Sequence, residues 1–249
     1  PAQNAYLPQL QTLYKIDEQT SWYTNIGKSF EMPAINSFYT KSKAGYNDDL
    51  KPQEGWSYET GIKRITDTSS FKAAVFTMKI DNKFAWRTYR DLGLTPPPGI
   101  NPDTSIQVNV GEFRNTGLEL EYTKKVGNQW HYNVGFTVQD PEAKDSGVWL
   151  QQTSRWQMTT GVQYTVGKFH SSLNLFWAGD REDASKTING KYHALRDKVD
   201  LNAVLSYTPD QYNSFKLNLY NLLNRDNVMN VSENLARPFN WSMTYTCTF

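Results

Sequence analysis

The stretch Phe239-Asn240-Trp241-Ser242-Met243-Thr244-Tyr245-Thr246-Cys247-Thr248-Phe249 alternates apolar and polar residues without exception. Successive side chains of a β-strand point to opposite faces. Such a strand carries one apolar face, Phe239, Trp241, Met243, Tyr245, Cys247 and Phe249, and one hydrated face. A strand against a soluble core satisfies this pattern. So does a membrane strand, because a tilted strand needs about 9–11 residues to cross a bilayer. The choice depends on whether the rest of the chain repeats the pattern.

It does. Trp130, Tyr132, Val134, Phe136 and Val138 alternate with His131, Asn133, Gly135, Thr137 and Gln139. Phe169, Ser171, Leu173, Leu175 and Trp177 alternate with His170, Ser172, Asn174, Phe176 and Ala178. Leu201, Ala203, Leu205 and Tyr207 alternate with Asn202, Val204 and Ser206, and Leu118, Leu120 and Tyr122 with Glu119 and Glu121. No long helical period competes with this period of two.

Composition narrows the class. Mean hydropathy is low, at -0.67, and only 38% of the residues are hydrophobic, yet 14% are aromatic. Disordered chains are poor in aromatics, so disorder is disfavoured. A transmembrane barrel reconciles the two facts: half of each strand faces an aqueous lumen, and aromatics form girdles at the membrane interfaces. No apolar run reaches the roughly 18 residues of a membrane helix. The net charge of +1 and the lack of a basic run argue against a dedicated nucleic-acid protein. Cys247, the single cysteine, excludes an intrachain disulfide framework.

Eleven strands are expected, at 5–15, 20–28, 56–65, 70–87, 105–123, 129–139, 153–166, 169–180, 195–208, 213–223 and 239–249. Short connections (Ile16-Asp17-Glu18-Gln19, 66–69, 124–128, Gly167-Lys168, 208–211) alternate with long ones, about 29–55, 88–104, 140–152, 181–194 and 224–238. Outer-membrane barrels have short periplasmic turns and long extracellular loops. On that rule the last strand ends in the periplasm. The run Leu94-Thr95-Pro96-Pro97-Pro98-Gly99 cannot pair as a central strand, because proline lacks a ladder donor. One short helical turn is expected within 32–40.

The ordered motifs resemble the C-terminal barrel portion of TonB-dependent outer-membrane receptors of the siderophore-receptor type. Pro8-Gln9-Leu10-Gln11-Thr12-Leu13-Tyr14 and Thr20-Ser21-Trp22-Tyr23 precede Ser29-Phe30-Glu31-Met32-Pro33, which is similar to the family's SF-x-x-P segment. Leu50-Lys51-Pro52-Gln53 with Tyr58-Glu59-Thr60-Gly61-Ile62-Lys63 resembles its LKPE…YE-x-G-x-K signature. Gly117-Leu118-Glu119-Leu120-Glu121 is similar to its G-x-E-x-E strand, and Tyr220-Asn221-Leu222-Leu223-Asn224-Arg225-Asp226 to its NNLFD strand end. Arg237-Pro238 and the terminal Phe249 complete the order.

The resemblance implies an all-β fold, an antiparallel transmembrane β-barrel of which these eleven strands form half of 22, in the outer membrane of a Gram-negative-type bacterium. Residues 1–249 are then expected to be the C-terminal part of the barrel, with the plug domain and signal peptide absent. An open half-barrel alone in lipid would leave two bare edges, which is prohibitive. The partners implied are a ferric siderophore or similar large nutrient, the plug and remaining strands, outer-membrane lipid, and the TonB complex through the missing N-terminal part. No cofactor and no nucleic acid are expected.

No catalytic constellation is present, so no enzyme is expected. His131 and His170 on inner faces and His193 in a loop have no metal-ligand spacing and are expected to be solvated polar groups. Glu119 and Glu121 share one face and are expected to meet lumenal Lys or Arg. Asp180-Arg181-Glu182-Asp183 is expected to be a solvated loop. Phe84, Trp86, Arg87, Tyr89 and Arg90 enter the 88–104 loop, and Trp149 lies in another. They are the candidate ligand residues, since aromatics beside cations can stack on and attract an anionic chelate. Rim aromatics also serve as girdle. The resemblance further implies that the last strand, through Tyr245 and Phe249, carries an assembly signal.

The expected function is active uptake of a ferric siderophore energised through TonB. Haem is disfavoured, since the loop from Ala34 to Asp49 has no histidine to serve as axial ligand. Two rivals stand beside it: a passive channel or adhesin barrel, and a soluble all-β ligand-binding module.

Overall fold

The computed structural model describes residues 6–34, 37, 50–145, 147–188, 191–228 and 236–249. The fold is all-β, and among the described residues one antiparallel sheet of eleven strands forms a continuous wall. In chain order the wall is β1 (Gln9–Lys15), β2 (Thr20–Glu31), β3 (Gln53–Ile65), β4 (Ser69–Thr88), β5 (Ser105–Val126), β6 (Trp130–Gln139), β9 (Trp156–Val166), β10 (Phe169–Gly179), β13 (Lys198–Tyr207), β14 (Asn213–Tyr220) and β15 (Asn240–Cys247). Each pairs antiparallel with the next, across short turns and long outer connections alike.

Four further strands lie outside the wall. β7 (Glu142–Asp145) and β8 (Val148–Gln151) form a hairpin that pairs back onto β5, and β11 (Arg181–Ile188) and β12 (Lys191–Leu195) form a separate one. Segments 140–152 and 181–194 were expected as loops, and this is a correction. Both hairpins stand beyond the apolar band, so no lipid face imposes on them the alternation that marks a membrane strand, although Ala143, Gln151 and Asp183 are buried in them. The helical turn expected within 32–40 falls largely outside the described residues.

The ladder register sorts the side chains into two faces. Tyr122, Val134, Thr160, Leu175 and Leu201 stand side by side across five strands. One residue on, Thr123, Asn133, Gly161, Asn174 and Asn202 form the next row, on the opposite face. The apolar face stays exposed: Leu173, Leu205 and Met243 keep 42%, 48% and 65% of their surface accessible. Leaving such side chains in water forfeits about 1.5–3 kcal/mol each relative to burial, so this face requires a covering of lipid.

An aromatic ladder closes the short-turn end of that face. The ring centroids of Phe169 and Tyr207 lie 4.5 Å apart, those of Tyr207 and Phe215 6.5 Å, and those of Phe215 and Tyr245 4.9 Å. Trp130 and Tyr164 continue it at 4.4 Å. At the opposite end the Trp177 indole N–H donates to Asp197 at 3.0 Å. An apolar body with a polar tip is what an interface position selects.

Glycines on the polar face are fixed by close approach. A Cβ on Gly61 would stand 2.4 Å from the Ala73 carbonyl oxygen, and one on Gly161 2.5 and 2.7 Å from the Asn133 and Asn174 amide oxygens. Of the deeply buried apolar residues, Leu50, Tyr89 and Ala143 lie outside the wall strands, Ile106 lies in the distal part of β5, and only the small Ala74 and Ala178 lie within the remaining wall. A wall between lipid and lumen has no interior of its own, so the small core forms where loops fold over one another.

β1 and β15 are the two ends of the sheet and do not pair with each other. With eleven strands in alternation, both run toward the short-turn end. Direct closure, or closure against a second copy, would create a parallel seam. An all-antiparallel barrel needs an odd number of additional strands between them.

Candidate ligand rim and transport wall

β4 and β5 are the longest strands, at 20 and 22 residues. A strand rises about 3.3 Å per residue, so β4 extends for about 66 Å, far more than a bilayer core of about 30 Å requires even at a steep tilt. Its distal half therefore projects beyond the membrane. The break between the two halves is a double register shift between Ile80 and Phe84, with Asn82 at φ 56°. Asparagine tolerates that left-handed conformation. Asn109 staples the bulge: its side-chain NH2 donates to the Asn82 carbonyl at 2.7 Å and to the Lys51 carbonyl at 2.9 Å. The Lys51 N–H donates to the Asn109 amide oxygen at 2.7 Å. The segment entering β3 is thus docked to the hairpin by a side chain that mimics a neighbouring strand.

The candidate ligand residues on this hairpin separate. Trp86 is exposed at 54%. Arg90 is also exposed, and its guanidinium makes a two-point ion pair with Asp103 at 2.7 and 3.2 Å. Arg87 donates to the Trp86 carbonyl at 2.8 Å, and the Phe84 N–H donates to the Gln53 side chain at 3.2 Å. Tyr89, at 2% exposure, is buried and offers no surface to a ligand. Thr88, through its hydroxyl and its backbone N–H, holds the Asp91 carboxyl below the usual carboxylate range, which orders the turn at the tip.

Trp149 belongs to a different surface. On β8 it stands opposite Lys144, which stands opposite Glu112 on β5. That register puts it on the sheet face of the lipid row. The Arg114 guanidinium lies 4.1 Å from its ring centroid and the Lys144 ammonium 5.8 Å, a cation–π pair at the outer rim. Tyr89 and Trp149 therefore do not join Trp86 and Arg90 in one cluster.

Inside the wall, charge is organised around Lys72. Its ammonium lies 3.1 Å from Glu119 and 3.7 Å from Glu59, and the Tyr23 hydroxyl donates to Glu59 at 2.5 Å. Glu119 meets a lumenal lysine, as its alternation implied. Beside it, Glu121, Asn133, Gly135 and Thr159 line a hollow of about 350 Å³. Gly135 carries no side chain because the Thr159 hydroxyl stands 2.7 Å from where a Cβ would lie.

A second organiser, Arg155, was not singled out from the sequence. It reaches Asp140 at 3.0 Å, Glu142 at 3.4 Å and Asp180 at 3.5 Å. Glu142 also receives Arg114 at 2.6 Å, and Gln151 donates to the Asp180 carbonyl. Arg181 donates to the Val228 carbonyl at 2.8 Å. Three successive outer connections are thereby tied into one collar. A lone arginine before a strand gives no sign of this, because its three acidic partners come from two different connections.

At the terminus, Tyr245 stacks on Phe215 and donates to Asn213 at 2.6 Å. Phe249 is fully exposed.

A polar inner wall, a lipid-facing outer wall with an aromatic girdle, and extended outer hairpins define a segment of an outer-membrane β-barrel. Comparison with known proteins agrees. The family described as TonB dependent receptor-like, beta-barrel, matches residues 2–222. The vitamin B12 transporter BtuB of Photobacterium profundum is 25% identical over 240 residues, 95% of this chain and 37% of its own length. The ferric-catecholate import receptor Fiu of E. coli K12 superposes with a TM-score of 0.72 at 22% identity, covering 97% of this chain and 34% of the other. The siderophore receptor PirA of Acinetobacter baumannii superposes at 0.76 with 13% identity, covering 98% and 41%. The chain belongs to the TonB-dependent receptors, as part of their outer-membrane barrel. It spans little more than a third of the length of the relatives it matches.

Proposed function

We propose that this chain is the C-terminal half-wall of a receptor that takes up a ferric chelate of the siderophore class across the outer membrane, with energy delivered through TonB. The observation that carries the substrate class is the projecting β4–β5 hairpin, which presents Trp86 and Arg90 beyond the membrane. The named relatives, a ferric-catecholate import receptor and a siderophore receptor, support the reading. The plug, the coupling segment and the odd number of strands that closes the wall are supplied by the rest of the receptor. Its work is capture and passage, with no bond made or broken in the ligand by this wall.

In the complete receptor, Trp86→Ala combined with Arg90→Ala is expected to weaken binding of an anionic ferric chelate about tenfold, or about 1.4 kcal/mol. Heat resistance of the barrel should not change, because neither side chain is buried. Asp103→Ala, which frees Arg90, should have the opposite sign. Titration of the purified receptor with a ferric tricatecholate measures all three. Unchanged affinity in the double variant assigns Trp86 to the rim girdle.

A further inference from the structure

We infer that a second ligand-contact site lies on the lumen side of the last three wall strands, and that it takes a chelate arm carrying a protonated amine. The inference rests on the transport reading above. A cavity of about 510 Å³, lined by polar side chains together with Ala236 and Trp241, opens there between β13, β14, β15 and the connection that follows β14. That is within the range of small-molecule pockets, about 300–1,000 Å³.

Two asparagines build its roof and are used up in doing so. Asn221 is buried at 4% exposure and has φ 50°, which kinks the chain at the end of β14. Its side chain donates to the Arg225 and Arg237 carbonyls, both at 3.0 Å, and accepts from the Arg225 N–H at 3.0 Å. Asn227, 3% exposed, accepts from the Val199 N–H at 3.1 Å and donates to the Val199 carbonyl at 2.7 Å. The cavity is thus a built feature, held by buried amides that are themselves hydrogen-bonded.

Three groups that line it are not used up. Asp200 on β13, Tyr220 at the end of β14 and Arg237 before β15 have no side-chain hydrogen bond or ion pair among the described residues. Asp200 stands opposite Phe176, on the lumen face. The Asn202 amide oxygen already accepts from the Asn221 N–H at 2.9 Å, so its NH2 remains free to donate. A carboxylate, a guanidinium, a phenol and an amide converging on one cavity match a group with a cation and a carbonyl or carboxylate close together. They do not match a flat apolar ring. Charge-assisted hydrogen bonds from an ammonium to Asp200 and from Arg237 to an oxygen would fix its orientation.

The test uses the complete receptor and a matched pair of probes: a ferric linear trihydroxamate with a free terminal amine, and the same chelate N-acetylated. Affinity is read by titration and heat resistance by electrophoretic mobility. The wild type should prefer the amine form about tenfold, and Asp200→Asn should remove that preference while leaving the acetylated form unchanged. Equal affinities in the wild type, equal losses in the variant, or no binding of the amine form overturn the site. Lost heat resistance with unchanged affinities would give the cavity to the plug instead, and also overturns it. If a ferric tricatecholate is still bound and imported in those cases, the transport reading survives. If no ferric chelate binds, both fail.

Discussion

Replacing Leu173 with arginine is expected to cost the complete receptor about 2–4 kcal/mol of stability in a bilayer. Leu173 lies at the centre of β10, between Phe169 of the aromatic ladder and Trp177 at the other interface. Its ladder neighbours are Val162 and Ala203, so the outer face is apolar on both sides. An arginine there must snorkel or thin the bilayer, and the penalty is greatest at the midplane. Asn174→Ser, one residue on and facing the lumen, should cost much less. Reversible unfolding in lipid vesicles measures both. A loss under about 0.5 kcal/mol for the arginine variant would put this face in water or against protein, in conflict with the depth-dependent cost.

The second large effect concerns assembly. Phe249→Ser is expected to lower the amount of receptor inserted in the outer membrane severalfold, while molecules that do insert keep their thermal stability. The two readouts separate because Phe249 is fully exposed and contributes no packing, whereas Tyr245 is held by Phe215 and Asn213. Tyr245→Ala should therefore lower stability itself. Fraying ends carry few contacts, so a large insertion defect at Phe249 can only reflect recognition during assembly. Wild-type levels of the serine variant in membrane fractions would leave that residue without the role.

The wall was legible in the sequence because the membrane imposes a strict rule on it. One face meets lipid and the other the lumen, so the period of two survives in every wall strand from Trp130 to Phe249. The eleven wall strands and their order follow from that rule and from the turn lengths. The hairpins β7–β8 and β11–β12 were not legible, because strands that face no lipid need no apolar–polar alternation. Arg181-Glu182-Asp183 reads as a solvated loop for that reason, yet it pairs with Leu195, Ala194 and His193, and Asp183 is buried at 1% exposure.

The candidate site was only partly legible. Aromatic and cationic side chains in 84–90 marked a projecting surface, but composition cannot tell an exposed Trp86 from a buried Tyr89. That difference arises from how the hairpin and its neighbouring segments fold over one another, which brings together distant parts of the chain. The roles of Asn221 and Asn227 were hidden for a related reason. Nothing in the sequence marks their partners: Asn227 pairs with the Val199 backbone as a neighbouring strand would, and Asn221 ties down the Arg225 and Arg237 backbone.

The central claim is that this wall belongs to an energised importer of ferric chelates. Uptake of an iron-55-labelled ferric chelate, by cells that carry the complete receptor as their only route for it, tests this most directly. Accumulation should be saturable and should stop when the proton gradient is collapsed or TonB is absent. Residues 1–249 expressed alone should give none. Uptake that persists without the gradient and rises linearly with concentration would instead identify a passive channel.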